Sequence, residues 1–153
     1  MATLNVTHTE SIILNGEEFG GTNSTSFTGI GEISKRILTI TTAESTIATF
    51  SAAVASAGHY VAADVRYIRF TNRDSTNFIT LTFRNQDNDE VAIKLDAGQS
   101  FILNGDNTNG MTAIFNATQD ADAASSANFG SLTNIQADAD TGSCDLEMII
   151  ASV

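Results

Sequence analysis

A chain of 153 residues with 18 acidic and seven basic side chains carries a formal charge of −11 at neutral pH, and it contains neither proline nor tryptophan. The length allows one domain with a real core, or one domain plus an extended arm, and plentiful Thr, Ser, Asn, Ala and Gly around short apolar runs favours many short strands over long helices. Such acidity repels phosphate backbones and anionic lipid, so neither nucleic acid nor a membrane is an expected partner.

The start of the chain, through Leu4 and Val6, has neither the basic residues nor the apolar run of a signal peptide, which points to synthesis in a cytoplasm. Cys144 is the single cysteine, so no internal disulfide framework is possible and a reducing compartment suits the chain. Residues 4–14 read as a strand ending at Asn15-Gly16, a dipeptide suited to positive φ. Residues 15–34 are rich in glycine and hydroxyls, with Phe19, Phe27, Ile30 and Ile33 as their few large apolar groups. This composition predicts an extended, loop-rich N-terminal arm, so residues 1–34 separate from a folded domain over residues 35–153. So sparse an arm gains order chiefly by lying on a partner, whereas residues 4–14 could equally be an edge strand of the same domain.

Two β-branched runs, residues 35–42 and 46–50, predict a pair of strands, and the Ala- and Ser-rich residues 51–58 a connection or a turn of helix. Residues 65–103 then carry the strongest pattern. Apolar side chains alternate as Ile68 and Phe70, as Ile79, Leu81 and Phe83, and as Val91, Ile93 and Leu95, which places each set on one face of a strand. The other face holds Tyr67, Arg69, Thr71, Thr80, Thr82, Arg84 and Lys94, so this stretch reads as an antiparallel meander with one wet side. Beyond the turn-forming residues 104–110, residues 111–115 suggest a short strand and residues 118–128 a surface loop. Residues 132–139 and the alternating Leu146, Met148 and Ile150 suggest a closing hairpin around a turn at 140–143. Eight to ten short strands without helical periodicity must curl or stack to cover their apolar faces, which predicts an all-β antiparallel β-sandwich, jelly-roll-like in form.

No catalytic or cofactor motif emerges. A nucleophile would need a histidine and an orienting acid beside it, and His8, His59 and Cys144 fall in separate segments with no Gly-x-Ser-x-Gly elbow. Gly29 and Gly31 begin a dinucleotide-like loop without its third glycine or its βαβ setting. The acidic clusters at residues 85–90, 106–110 and 138–142 lack the spacing of an EF-hand, so the first reads as a solvated hairpin turn and the others as plain turns, a shared Ca²⁺ being the alternative, and no metal site is assigned. Tyr67, Arg69 and Arg84 are the candidates for a protein–protein contact, the alternative being a solvated face with cross-strand pairing. Phe19, Phe27 and Ile30 of the arm join them as contact candidates, and the arginine face offers a complement to acidic loops of a neighbouring copy.

The block Tyr67-Ile68-Arg69-Phe70-Thr71-Asn72, the strand Phe78-Ile79-Thr80-Leu81-Thr82-Phe83 and the turn Leu95-Asp96-Ala97-Gly98-Gln99-Ser100-Phe101 resemble a module of small bacteriophage virion proteins. Leu132-Thr133-Asn134-Ile135-Gln136-Ala137 and Leu146-Glu147-Met148-Ile149-Ile150 continue the likeness, which covers roughly residues 35–152 and leaves the N-terminal arm outside. The resemblance implies a non-enzymatic structural role in a particle, as a head decoration (cement) protein or a neck or tail component. It further implies location in the virion, self-association with a trimer as first choice, and contact with virion proteins such as the major capsid protein. A carbohydrate-binding sandwich is the competing reading, although tyrosines 60 and 67 are the only residues beyond phenylalanine that could serve as aromatic platforms.

Overall fold

The computed structural model describes every residue except 113 and 116–128. The described residues form an all-β fold of thirteen strands with no helix. In chain order these are β1 (Ala2–Glu10), β2 (Ile13–Leu14), β3 (Glu17–Glu18), β4 (Gly21–Ile30), β5 (Glu32–Ile40), β6 (Ser45–Ser51) and β7 (His59–Val61). They continue as β8 (Val65–Asn72), β9 (Ile79–Asn85), β10 (Glu90–Leu95), β11 (Ser100–Asn104), β12 (Leu132–Ala139) and β13 (Cys144–Ser152).

Nine of these strands make the body. One sheet runs β10-β9-β12-β6-β7 and the other β11-β8-β13-β5, and every pairing is antiparallel except the short β6–β7 contact. Both sheets are open at their edges and give their apolar faces to one shared core. Ile68 and Phe70 on β8 meet Leu81 and Phe83 on β9 across it, with the Phe70 and Phe83 rings edge to face at 6.4 Å. That geometry suits the ring quadrupoles, and each fully buried side chain of this size contributes about 1.5–3 kcal/mol of transfer free energy.

The alternation of residues 65–103 marks strands correctly, but they do not form one meander. β8 lies in the four-stranded sheet, β9 and β10 form a hairpin in the five-stranded sheet, and β11 returns to pair with β8. A period of two fixes which side chains are buried and says nothing about which sheet buries them. The crossing from β8 to β9 is held by Asn72, fully buried, whose amide donates to the carbonyls of Asn77 (2.8 Å) and Leu95 (3.1 Å) and whose oxygen accepts from the Asp74 amide (3.0 Å). The same reason separates the other expected pairs. β5 and β6 lie in opposite sheets, as do β12 and β13, so neither the pair at 35–50 nor the closing hairpin forms. Val91, expected in the core, is 45 % exposed because β10 is an edge strand, and Ile93 beside it is half-buried. Met111 is fully buried, yet residues 111–115 make turns where described, and the surface loop expected at 118–128 lies outside the described residues.

The N-terminal arm departs most from expectation. Residues 15–34 are largely strand: β4 pairs with β1 from Ala2↔Ile30 to Glu10↔Gly21, and β5 begins at Glu32 as a full member of the four-stranded sheet. Hydroxyl and amide groups replace apolar pairs as cross-strand contacts here. Thr7 and Ser24 oxygens lie 3.0 Å apart, Thr9 and Thr22 3.3 Å, and Ser26 donates to Asn5 at 2.7 Å. Cross-strand threonine and serine pairs stabilise a ribbon without needing a core.

Candidate interaction surface

Among the described residues, the hairpin of β1 and β4 is anchored at its base. There Val6, Phe27 and Ile30 are buried against Tyr67 and Ala151 on the outer face of the four-stranded sheet, with Leu4, Ile102 and Ile149 at the margin. The Phe27 and Tyr67 rings stand 6.3 Å apart, and Gly31 donates its amide to the Ser152 carbonyl at 2.9 Å. Burial pushes the Tyr67 hydroxyl above its ordinary pKa, Arg69 pulling the other way.

Past this base both strands leave the body. From Thr7 to Ser26 every residue is exposed except the half-exposed Gly20, and at about 3.3 Å per residue the ribbon reaches roughly 25 Å beyond Val6. Its tip is a second small hairpin, β2 with β3, turned at Asn15 (φ 54°) and Gly16 (φ 85°). Two successive positive φ angles define the tight turn anticipated from this dipeptide. The Glu18 carboxylate holds the joint between the two ribbons, accepting from the amides of Ile12 (3.1 Å) and Gly20 (2.8 Å). Ile12, Ile13, Leu14 and Phe19 stand at this tip 56 %, 72 %, 56 % and 65 % exposed. Glu10 and Glu17 flank them.

Below the hairpin, the outer face of the four-stranded sheet gathers three cations on one carboxylate. Lys35, Arg69 and Arg73 reach Glu147 at 3.3, 2.5 and 3.2 Å, while the Glu147 side chain is only 7 % exposed. Burial alone would raise the Glu147 pKa, but hydrogen bonds from Lys35 and Arg69 outweigh it and hold the group below its ordinary 4.5. Asp145 on the same face accepts from the Thr39 hydroxyl, and three cations against these two carboxylates leave the cluster with a net positive charge on a strongly acidic chain. A groove of about 420 Å³ lies between this face and β1, with Asn5, His8, Arg69 and Ile102 among its walls.

The contact candidates read from the sequence therefore do not form one patch. Tyr67, Phe27 and Ile30 meet each other inside the chain, so Tyr67 is not the exposed aromatic anchor expected. Arg69 lies on the outer face of the four-stranded sheet, and Arg84 lies on the other sheet, paired with Glu90. Of the six, Phe19 alone is a free apolar group at a surface. The tip residues Ile12, Ile13 and Leu14 read in the sequence as the end of a strand over residues 4–14, able to join a sheet edge, rather than as an exposed apolar tip.

The groups considered for chemistry are also dispersed. His8 sits on the ribbon and His59 at a cleft edge, while Cys144 is buried at the start of β13, where desolvation and then Asp74, Asp140 and Asp145 push its thiol pKa up. Among the described residues no group of three or more His, Cys, Asp or Glu is placed to hold a metal ion. The acidic loops serve as turn clamps. The Asn85 side chain accepts from the amides of Asp87 and Asp89, and Asp106 accepts from those of Thr108 and Asn109. No candidate membrane-spanning helix occurs among the described residues. Compared with known proteins, the chain matches no family model, no curated protein and no solved structure.

Proposed function

We propose that this chain is a non-enzymatic structural subunit of a bacteriophage particle, a jelly-roll domain whose N-terminal hairpin docks it onto neighbouring protein. The observation that carries the reading is the apolar tip of the ribbon, four large side chains held more than half exposed at the end of a two-stranded projection. A two-stranded ribbon is marginal by itself in water, and an apolar cluster held in solvent marks a contact site, so both features favour a docked working form.

The strand order supports the jelly-roll assignment. The sheets β5-β13-β8-β11 and β6-β12-β9-β10, with β7 as an addition, follow the double Greek-key order of eight-stranded jelly rolls, an architecture common in viral capsid proteins and lectins. The resemblance of residues 35–152 to small virion proteins favours the first of these. Within a particle, the role proposed is capsid decoration, with the subunit cementing the head lattice through contacts to the major capsid protein. A neck or tail position is the alternative. Self-association, as a trimer, joins the hairpin of one copy to the cationic face of another, where Glu10 and Glu17 meet Lys35 and Arg73. The lectin-like alternative has less support, because Tyr67 is buried beneath the hairpin and cannot serve as a sugar platform.

The test uses phage particles purified from an infected culture and particles assembled without this chain. The proposal expects the chain at a fixed copy number in the former and saturable rebinding of added chain to the latter. It expects Ile13→Asp with Phe19→Asp to abolish rebinding while circular dichroism is unchanged. Absence of the chain from purified particles, or unimpaired rebinding of the double variant, would overturn it.

A further inference from the structure

A cleft of about 390 Å³ opens between the two sheets on the side where β5 ends one and β6 with β7 ends the other. It lies at the lower end of the range that small-molecule sites occupy, about 300–1,000 Å³. Leu38, Ile40 and Ile47 line it together with Arg36, Thr49 and His59. Arg36 lies on the core-facing side of β5, in line with Leu38 and Ile40 and opposite the fully buried Met148, and its side chain is half-buried.

Arg36 differs from every other cation of the chain. Lys35, Arg69 and Arg73 hold Glu147, Arg84 holds Glu90, Lys94 holds Asp96, and Arg66 donates to the Ala63 carbonyl. Among the described residues, Arg36 is the one arginine or lysine with neither an ion pair nor a hydrogen bond. In a chain with 18 acidic groups, a guanidinium left unpaired within a cleft is a fork of N–H donors without its usual acceptor. The backbone makes room for it. Gly58, at φ +85°, lies so close that an added Cβ would stand 3.2 Å from the Arg36 Nη1 atom, and its carbonyl is held by the Thr49 amide at 2.9 Å.

We infer that this cleft binds a small ligand bearing one oxyanion group, a carboxylate or a phosphate, with the Arg36 guanidinium as anchor and His59 as a second donor. Leu38, Ile40, Ile47 and the Thr49 hydroxyl line the space for the remainder of the ligand. An inward-pointing charge beside a sheet edge can also serve only to deter strand pairing. That role predicts no ligand, and the two are separable.

The probes are inorganic phosphate, glucuronate and uncharged glucose, each titrated at constant ionic strength into the full chain labelled for nuclear magnetic resonance. The expected result is a single saturable site for at least one of the two anions and none for glucose, with shifts at the Arg36 Nε–H and the Gly58 and His59 amides. Whichever anion binds more tightly identifies the source of the oxyanion. Arg36→Gln is expected to weaken binding about tenfold or more, and Arg84→Gln to leave it unchanged. If Arg36→Gln misfolds, Ala57→Glu provides the second variant, since it places a tethered carboxylate at the exposed rim and should block both anions. Shifts spread evenly over Lys35, Arg84 and Arg36 without saturation, no shift at all, or full binding by a folded Arg36→Gln or Ala57→Glu would each overturn the inference.

Discussion

The body and the N-terminal hairpin are both antiparallel β-structure, yet they are held together by different forces. In the body, residues such as Ile68, Leu81, Ile135 and Leu146 are completely buried, and each strand is fixed by what it contributes to a common core. In the ribbon, from Thr7 to Ser26, hydrogen-bonded ladders and hydroxyl pairs hold two strands that bury nothing against each other. The first arrangement is self-sufficient. The second is tied to the body at its base, by Val6 and Phe27, and a partner at its tip is what the proposed function adds.

The largest effect should come from the body. Leu81→Asp places an unpaired charge in the core and is expected to prevent folding, read as loss of soluble protein and of the β-type circular dichroism signal. Thr80→Asp, one residue along on the outward face with Lys94 opposite on one side and Asp138 on the other, should cost no more than about 1 kcal/mol in a denaturant melt, the like charge offsetting the gain from Lys94. Equal damage at both would contradict the orientation of β9.

At the junction, Phe27→Ala removes the ring packed on Tyr67, a truncation that costs about 3–5 kcal/mol in a full core. Here the loss should fall on the hairpin. Hydrogen exchange is expected to show amides of residues 4–30 losing protection while the slowest amides of β8 and β13 keep theirs. Simultaneous loss in both regions would make the hairpin an integral part of the body.

These regions also differed in how far the sequence revealed them. The period of two identified β8, β9 and β12 because each buries one face, and burial leaves that signature in composition. It could not say that β8 and β9 join different sheets, since the six residues between them admit either path and the deciding group is the side chain of Asn72. The returning half of the ribbon looked like a loop because Gly20, Gly21 and a run of Ser and Thr carry no core signal, while the hydroxyl pairs that stabilise it become visible only once the register is known. For the same reason Tyr67 read as solvent-facing: its cover, Phe27 and Ile30, comes from forty residues away. The unpaired state of Arg36 had no sequence signature at all.

A smaller effect should follow from pH. Glu147, Asp74 and Asp106 all have folded pKa values below their ordinary ones. For Glu147 burial works the other way and the Lys35 and Arg69 hydrogen bonds prevail, whereas for the two aspartates hydrogen bonds from the amides of Asn77 and Thr76, and of Asn109 and Thr108, are the cause. A depressed carboxylate stabilises the fold above its unfolded pKa, and that contribution disappears as the pH falls through the folded one. Melting temperature should therefore decline as the pH drops below about 4.5. Glu147→Gln should melt lower than the unaltered chain at pH 7 and converge on it in acid. A constant difference at all pH values would mean that Glu147 acts through shape rather than charge.

The smallest effect on stability belongs to the tip. Ile13→Asp with Phe19→Asp should leave the melt within about 0.5 kcal/mol of the parent, as exposed substitutions do. Replacing residues 8–23 by an Asn-Gly turn joining Thr7 to Ser24 removes the ribbon and keeps its base. Sedimentation of this shortened chain beside the full chain, over a wide concentration range and with particles assembled without it, is the most direct measurement. The full chain is expected to self-associate and bind the particles, and the shortened chain to melt normally but stay monomeric and unbound. A full chain that remains monomeric and free, or a shortened chain that assembles as well as the parent, would contradict docking through the ribbon.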